Sequence, residues 1–334
     1  MLESRILQTS RVLAAGMRLQ QGAHYKVSAL SPRPSSASVS TVMPVFALML
    51  GATSWGILWY PFRVMQAAGL AAPVATLLTY VVSIAFGTLM FWRAWREFAP
   101  NVAWMLAIGL SAGLTNVAYL VAIMEAEVLR IVLLFYLAPL WTVPLARLIL
   151  RERLTIGGYA TAALAMSGAA VMLWRPDLGF PAPRNGYEWL GLAAGFAFAL
   201  CNVLVKGAHR VTPQAKSLAG ASGVAIVALP VALWLVPDTG RWATQAAPHI
   251  VLIVVIGVVL MSTSIALQYG LSKLAVNRAA VVLLFELVVA AIAAHYLAGE
   301  VSRVQDWIGG AMIVVAGMLA TLWESRSANS AADV

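Results

Sequence analysis

The chain has 334 residues; 61% are hydrophobic and only 10% are charged. A soluble globular domain is about 45–50% apolar and about 25% charged, so 22 basic and 13 acidic side chains cannot solvate a soluble protein of this size. The composition excludes a soluble enzyme, a disordered chain and a fibrous repeat, and leaves an all-α polytopic membrane protein.

Residues 1–42 come first and differ from the rest. They hold Arg5, Arg11, Arg18, Lys26 and Arg33 against the single acid Glu3, and end in the Ser- and Pro-rich stretch from Ser31 to Ser40. The segment has a transit-like composition without a secretory apolar core. It is expected to be a disordered cytoplasmic tail, or sequence preceding a start at Met43.

A membrane-crossing helix needs about 20 mostly apolar residues. Ten such runs follow, at 43–62, 71–91, 102–123, 128–149, 156–174, 188–205, 217–236, 250–270, 279–298 and 306–323. Charge and turn residues punctuate them, as at Arg151-Glu152-Arg153 and Asp238-Thr239-Gly240. The connections are too short for a soluble domain. With a cytoplasmic N-terminus, 16 of the 22 basic residues fall on the inner side and 6 on the outer. This excess predicts an inner-membrane protein with both termini cytoplasmic, and accounts for the basic balance without a nucleic-acid partner. Trp92, Trp104 and Trp323 fall at predicted inner ends, and Trp174, Trp189, Trp234 and Trp307 at outer ends, as interfacial rings do.

Shifted by 148 residues, Thr115–Glu152 lies over Thr263–Glu300 without a gap. Thr115/Thr263, Ala118/Ala266, Val128/Val276, Arg130/Arg278, Ala146/Ala294 and Glu152/Glu300 are identical pairs. The arginine opens a helix in both copies and the glutamate closes it. The next spans begin alike, at Ile156-Gly157-Gly158 and Ile308-Gly309-Gly310. Residues 43–174 and 188–323 therefore read as two five-helix repeats, joined by a linker at 175–187 and followed by a tail at 324–334. Five is odd, so the copies have opposite orientation. Inverted repeats of this kind recur in secondary transporters, with the substrate near the midplane.

The segments Arg130 to Thr155 (RIVLLFYLAPLWTVPLARLILRERLT) and Arg278 to Gly310 (RAAVVLLFELVVAAIAAHYLAGEVSRVQDWIGG) resemble the helix pair that closes each half of EamA-type transporters, in the drug/metabolite transporter superfamily. The first copy keeps that family's proline as Pro139. The second has Leu287 there, preceded by Glu286. The first copy has Arg151 where the family usually has glycine, and the second keeps Gly299. In architecture the chain is most similar to amino-acid exporters of the YddG type. The resemblance implies a cavity surrounded by spans 1, 3, 4, 6, 8 and 9, with 5 and 10 peripheral.

Glu286 is the one acid deep within a span. A charge at that depth costs at least about 2.5 kcal/mol on insertion scales, so it should face a cavity or a partner. It is the candidate proton-coupling group, or a partner for a cationic substrate group; the alternative is a carboxyl bonded to a neighbour such as Asn202 or Gln268. Trp55 and Trp59 share a face of span 1 and form either an aromatic substrate wall or ordinary packing. Asn116 and Tyr119 share a face of span 3, Ser264 and Gln268 a face of span 8. With Asn202 in span 6 they either bridge helices or line a substrate path. Tyr136 lies in span 4 with Pro139 and Pro144, whose missing N–H groups permit a hinge or a static bend.

No catalytic motif, cofactor site or metal site is readable. Cys201 alone excludes a cysteine metal site, and the four histidines are scattered. The expected function is export of a small metabolite, an amino acid or a related amphipathic or aromatic compound, by alternating access. The alternatives are a drug or nucleotide-sugar carrier, and, from another class, a membrane scaffold or enzyme. Expected partners are the substrate, the bilayer and protons, in a monomer or homodimer.

Overall fold

A computed structural model of the protein describes residues 42–126, 128–152, 156–174, 183–298 and 303–330. The basic N-terminal tail, Glu127, Gly299, Glu300 and most of the 175–187 linker lie outside the described residues. So does the side chain of Arg130.

Those residues form α-helices: α1 (Val42–Ala67), α2 (Ala72–Phe91), α3 (Val102–Glu125), α4a (Val128–Phe135), α4b (Ala138–Leu145), α5 (Ile156–Leu173), α6 (Gly186–Gly207), α7 (Pro213–Leu235), α8 (Ile250–Lys273), α9a (Val276–Leu283), α9b (Phe285–Ala298) and α10 (Val304–Ser330). No strand occurs among the described residues. Eight helical segments are long and apolar enough to cross a membrane; Ala138–Leu150 and Val304–Leu319 are shorter apolar helices. Together they give the ten-span, all-helical membrane fold. Exposed rings and aliphatic side chains, such as Phe46, Leu106, Trp189 and Ile226, cover the outside, as suits a lipid-facing surface. The last helix runs on past Trp323 to Ser330.

Polar caps fix where helices begin. The Asn185 side chain accepts from the Glu188 N–H at 2.9 Å, and the Glu188 carboxyl accepts from the Arg184 N–H at 2.9 Å, a reciprocal cap on α6. At α7, Pro213 follows the Thr212 cap, and Glu97 accepts from the Thr212 N–H and hydroxyl, both at 2.8 Å. Lys216, which the sequence places in the loop between spans 6 and 7, is instead fully buried in the first turn of α7. Its ammonium donates to the Val205 carbonyl at 2.8 Å and the Ser272 hydroxyl at 2.7 Å. Val205 belongs to the last turn of α6, where carbonyls lack helical partners and the dipole favours a cation.

The two copies pack as a pseudo-symmetric pair. Helix α3 packs on α7 as α2 packs on α8; α3 packs on α6 as α1 packs on α8; α4 packs on α6 as α9 packs on α1. Exchanging α1–α5 with α6–α10 maps each contact onto its mate, while α2–α7 and α5–α10 map onto themselves. At the α5–α10 crossing, Gly168 and Gly309 face each other's carbonyl oxygens, the small-residue contact that lets membrane helices approach closely.

Both copies break one helix at the same register. Span 4 is interrupted at Tyr136–Leu137 and span 9 at Leu284; Leu284 is the 148-residue mate of Tyr136. In span 4 the break follows from Pro139, which has no N–H for the Phe135 carbonyl. In span 9 no proline is present. A close backbone approach to the other copy is common to both breaks. An alanine Cβ at Gly195 of α6 would lie 2.6 Å from the Phe135 oxygen, and one at Gly56 of α1 would lie 2.9 Å from the Glu286 oxygen. Each broken helix presses its backbone against a glycine of the other copy.

Candidate functional site

The two breaks flank a central cavity of about 170 Å³. Its wall is drawn from α1, α3, α4, α6, α8 and α9, the six spans the resemblance implies; α5 and α10 contribute none of the described lining.

Helix α1 supplies Trp55, and α3 supplies Thr115, Asn116 and Tyr119. Asn116 both bridges and lines: its amide oxygen accepts from the Tyr80 hydroxyl of α2 at 3.3 Å, and its NH₂ donates to the Ala112 carbonyl at 2.9 Å. The broken span 4 gives Phe135, Tyr136, Ala138, Pro139 and Thr142, and α6 gives Phe198 and Asn202. With α6, the second copy also supplies Leu267 and Leu271 of α8 and Ala280, Leu283, Leu284 and Glu286 of α9.

The wall is asymmetric across the repeat. Tyr119, Phe135 and Tyr136 in the first copy correspond to Leu267, Leu283 and Leu284 in the second, and Ala138 corresponds to Glu286. At these paired positions the first copy is aromatic and the second aliphatic with a carboxyl, while Phe198 of α6 adds a second-copy ring to the aromatic side. Phe135 is the hub of the aromatic half, with ring centroids 4.8 Å from Tyr119, 5.5 Å from Tyr136 and 5.4 Å from Phe198.

Glu286 occupies the first turn of α9b. There the orphan N–H groups and the positive end of the helix dipole favour a carboxylate. The Tyr136 hydroxyl donates a hydrogen bond to it. The break in span 9 thus gives an acid at membrane depth a helix terminus, a hydroxyl partner and a cavity.

Of the residues singled out from sequence, Trp55, Asn116, Tyr119, Tyr136, Asn202, Glu286 and Pro139 meet at the cavity. Trp59 does not line it and packs edge-on against Tyr60 at 5.8 Å. Ser264, Gln268 and Pro144 are also off the wall. On α8 the wall positions are Leu267, beside Gln268, and Leu271. Sequence reasoning missed Phe135, Phe198, Thr115 and Thr142. Pro139 carried an indirect signal for Phe135, four residues earlier at the edge of the break, although its apolar neighbours hid it. Phe198 is one aromatic among many in apolar runs and carried none. No cluster of His, Cys, Asp or Glu able to hold a metal occurs among the described residues.

Two copies of a five-helix unit enclosing a cavity between paired helix breaks define a membrane carrier architecture. The model of the EamA-like transporter family matches residues 42–174 and 186–322, and the chain belongs to that family of membrane transporters. It is 26% identical over 218 residues to an uncharacterized transporter of Archaeoglobus fulgidus, covering 65% of this chain and 75% of that protein. It is 28% identical over 224 residues to an uncharacterized transporter of Pseudomonas aeruginosa, covering 61% and 70%. A protein crystal structure shares the fold with a TM-score of 0.67 at 20% identity, covering 86% of this chain and 97% of that one.

Proposed function

We propose that the protein is a secondary carrier that exports a small amphipathic metabolite, an amino acid or a close aromatic relative, across the inner membrane. The two halves rock around the central cavity, which opens to one side at a time. The observation that supports this best is the pair of helix breaks at matching register, both on the cavity wall. Broken helices at equivalent positions of inverted repeats are where such carriers hold substrate, because a break exposes backbone polar groups that only a cavity or a ligand satisfies.

In this reading Tyr136, Tyr119, Asn116, Asn202 and Trp55 contact substrate. Glu286 binds a cationic group or carries a coupled proton, and Pro139 lets span 4 flex. Both termini are cytoplasmic. The test is counterflow in proteoliposomes against a broad panel of amino acids, amines, nucleotide sugars and drugs. Saturable, selective exchange supports the carrier; no exchange of any compound sinks it.

A further inference from the structure

The sign of the substrate's charge is written in the cavity wall. Glu286 lines it, and no Lys, Arg or His does among the described residues. Arg278 begins the same span eight residues earlier, on the other side of the break at Leu284. Lys206 lies one turn beyond Asn202, and Lys273 is solvent-exposed at the end of α8. None of the three lines the cavity in which an ammonium on Glu286 would sit.

The wall's neutral donors are the Asn116 and Asn202 amides, the Tyr119 hydroxyl and the Trp55 indole N–H; its other polar groups are acceptors. The Thr115 hydroxyl donates to the Ser111 carbonyl at 2.7 Å, and the Thr142 hydroxyl to the Ala138 carbonyl at 3.1 Å. The Tyr136 hydroxyl donates to Glu286. A hydroxyl has one proton, so each of these oxygens can only accept from a ligand. The aromatic hub adds ring faces that attract a cation. On the other side, Leu267, Leu283 and Leu284 offer an aliphatic surface.

We propose that the cavity binds a monocationic amphiphile: an amine whose ammonium meets Glu286 between the Tyr119, Phe135 and Tyr136 rings, and whose apolar body lies on the leucines. The inference deepens the carrier reading, since it takes the same cavity as the substrate site. It selects, within amino-acid-like compounds, those whose carboxylate is absent or blocked. A free carboxylate would be buried there without a counter-charge, which is costly.

The test is calorimetric titration of the purified full chain in detergent with 2-phenylethylamine, phenylalaninamide and phenylalanine. The amine and the amide are expected to bind at least about tenfold tighter than phenylalanine. Glu286→Gln should weaken the amine by about 10- to 100-fold, the loss of one charge-assisted hydrogen bond, and narrow the gap to phenylalanine. Phenylalanine binding as tightly as the amine, an amine affinity unchanged in Glu286→Gln, or no amine binding at millimolar concentration each overturns the proposal. The wild-type ranking stands even if the variant fails to fold. In proteoliposomes, counterflow of phenylalanine without the amines sinks this inference and spares the carrier. Amines that bind while no compound of the panel exchanges sink the carrier and spare the site.

Discussion

Alanine at Gly195 tests whether the helix breaks shape the site. Its Cβ would lie 2.6 Å from the Phe135 carbonyl oxygen and 3.2 Å from the Phe135 carbonyl carbon and Cα. These are backbone atoms, so no rotamer change relieves the contact. Moving from 2.6 Å to an ordinary 3.4 Å requires α4 to retreat from α6 by about 0.8 Å at the break. Overpacking of this kind costs about 1–3 kcal/mol, and replacing a mid-helix glycine by alanine returns about 1 kcal/mol. The net loss is therefore about 0–2 kcal/mol, and the protein should fold. The displacement falls on Phe135, however, whose ring touches Tyr119, Tyr136 and Phe198. A shift approaching 1 Å in a positioning group costs up to about 100-fold in a well-fitted site, so a flux loss of at least about tenfold is expected. Gly220→Ala is the control: its Cβ meets only the Ala112 Cβ, at 3.8 Å, and it should raise Tm while keeping flux. Thermal unfolding and 2-phenylethylamine counterflow read the two effects separately. Wild-type flux in a folded Gly195→Ala protein would refute the argument that the break positions the wall.

Three further outcomes follow from other parts of the fold. Arg151 holds a left-handed conformation, φ 58° and ψ 22°, at the end of span 4, which costs a side-chain-bearing residue about 1–2 kcal/mol; Arg151→Gly should stabilise the protein by about 1 kcal/mol, and an unchanged or lower unfolding temperature contradicts this. Lys216→Met removes the ammonium that joins α6, α7 and α8 through Val205 and Ser272; a loss of about 1.5–3 kcal/mol is expected for hydrogen bonds made by a charge, and a stability equal to wild type would show that the buried ammonium contributes nothing. A reporter fused after Val334 should be active on the cytoplasmic side, and activity on the other side would overturn the orientation drawn from the basic residues.

The spans were legible because lipid demands long apolar runs and confines charge to the ends. Lys216 escaped that logic: four methylenes let its ammonium reach the Val205 carbonyl and the Ser272 hydroxyl from inside a helix, so it reads as a loop charge without being one. The break in span 4 was legible through Pro139. The matching break in span 9 was not: it has no proline, and the backbone beside it packs on Gly56, a residue more than 200 positions away in sequence. Arg151, set apart as a departure from the family's glycine, turns out to occupy the left-handed position that glycine suits. At the site, polar and charged residues in apolar runs stood out, and Glu286, Asn116 and Asn202 do meet at the cavity. Contrast failed in two directions. Phe135 and Phe198 resembled their apolar neighbours, and Trp59 shared a helical face with Trp55 although the cavity spans too little of α1 to reach it.

The central claim is that one cavity between the two copies opens alternately to both sides. Ala280 lines that cavity on α9a and is half-buried, so Ala280→Cys in a Cys201→Ala background reports on it directly. A membrane-impermeant maleimide is applied to right-side-out and to inverted vesicles, with and without 2-phenylethylamine. Labelling from both sides, slowed in each case by the amine, is expected. Labelling from one side alone, or labelling from both sides that the amine leaves untouched, would contradict it.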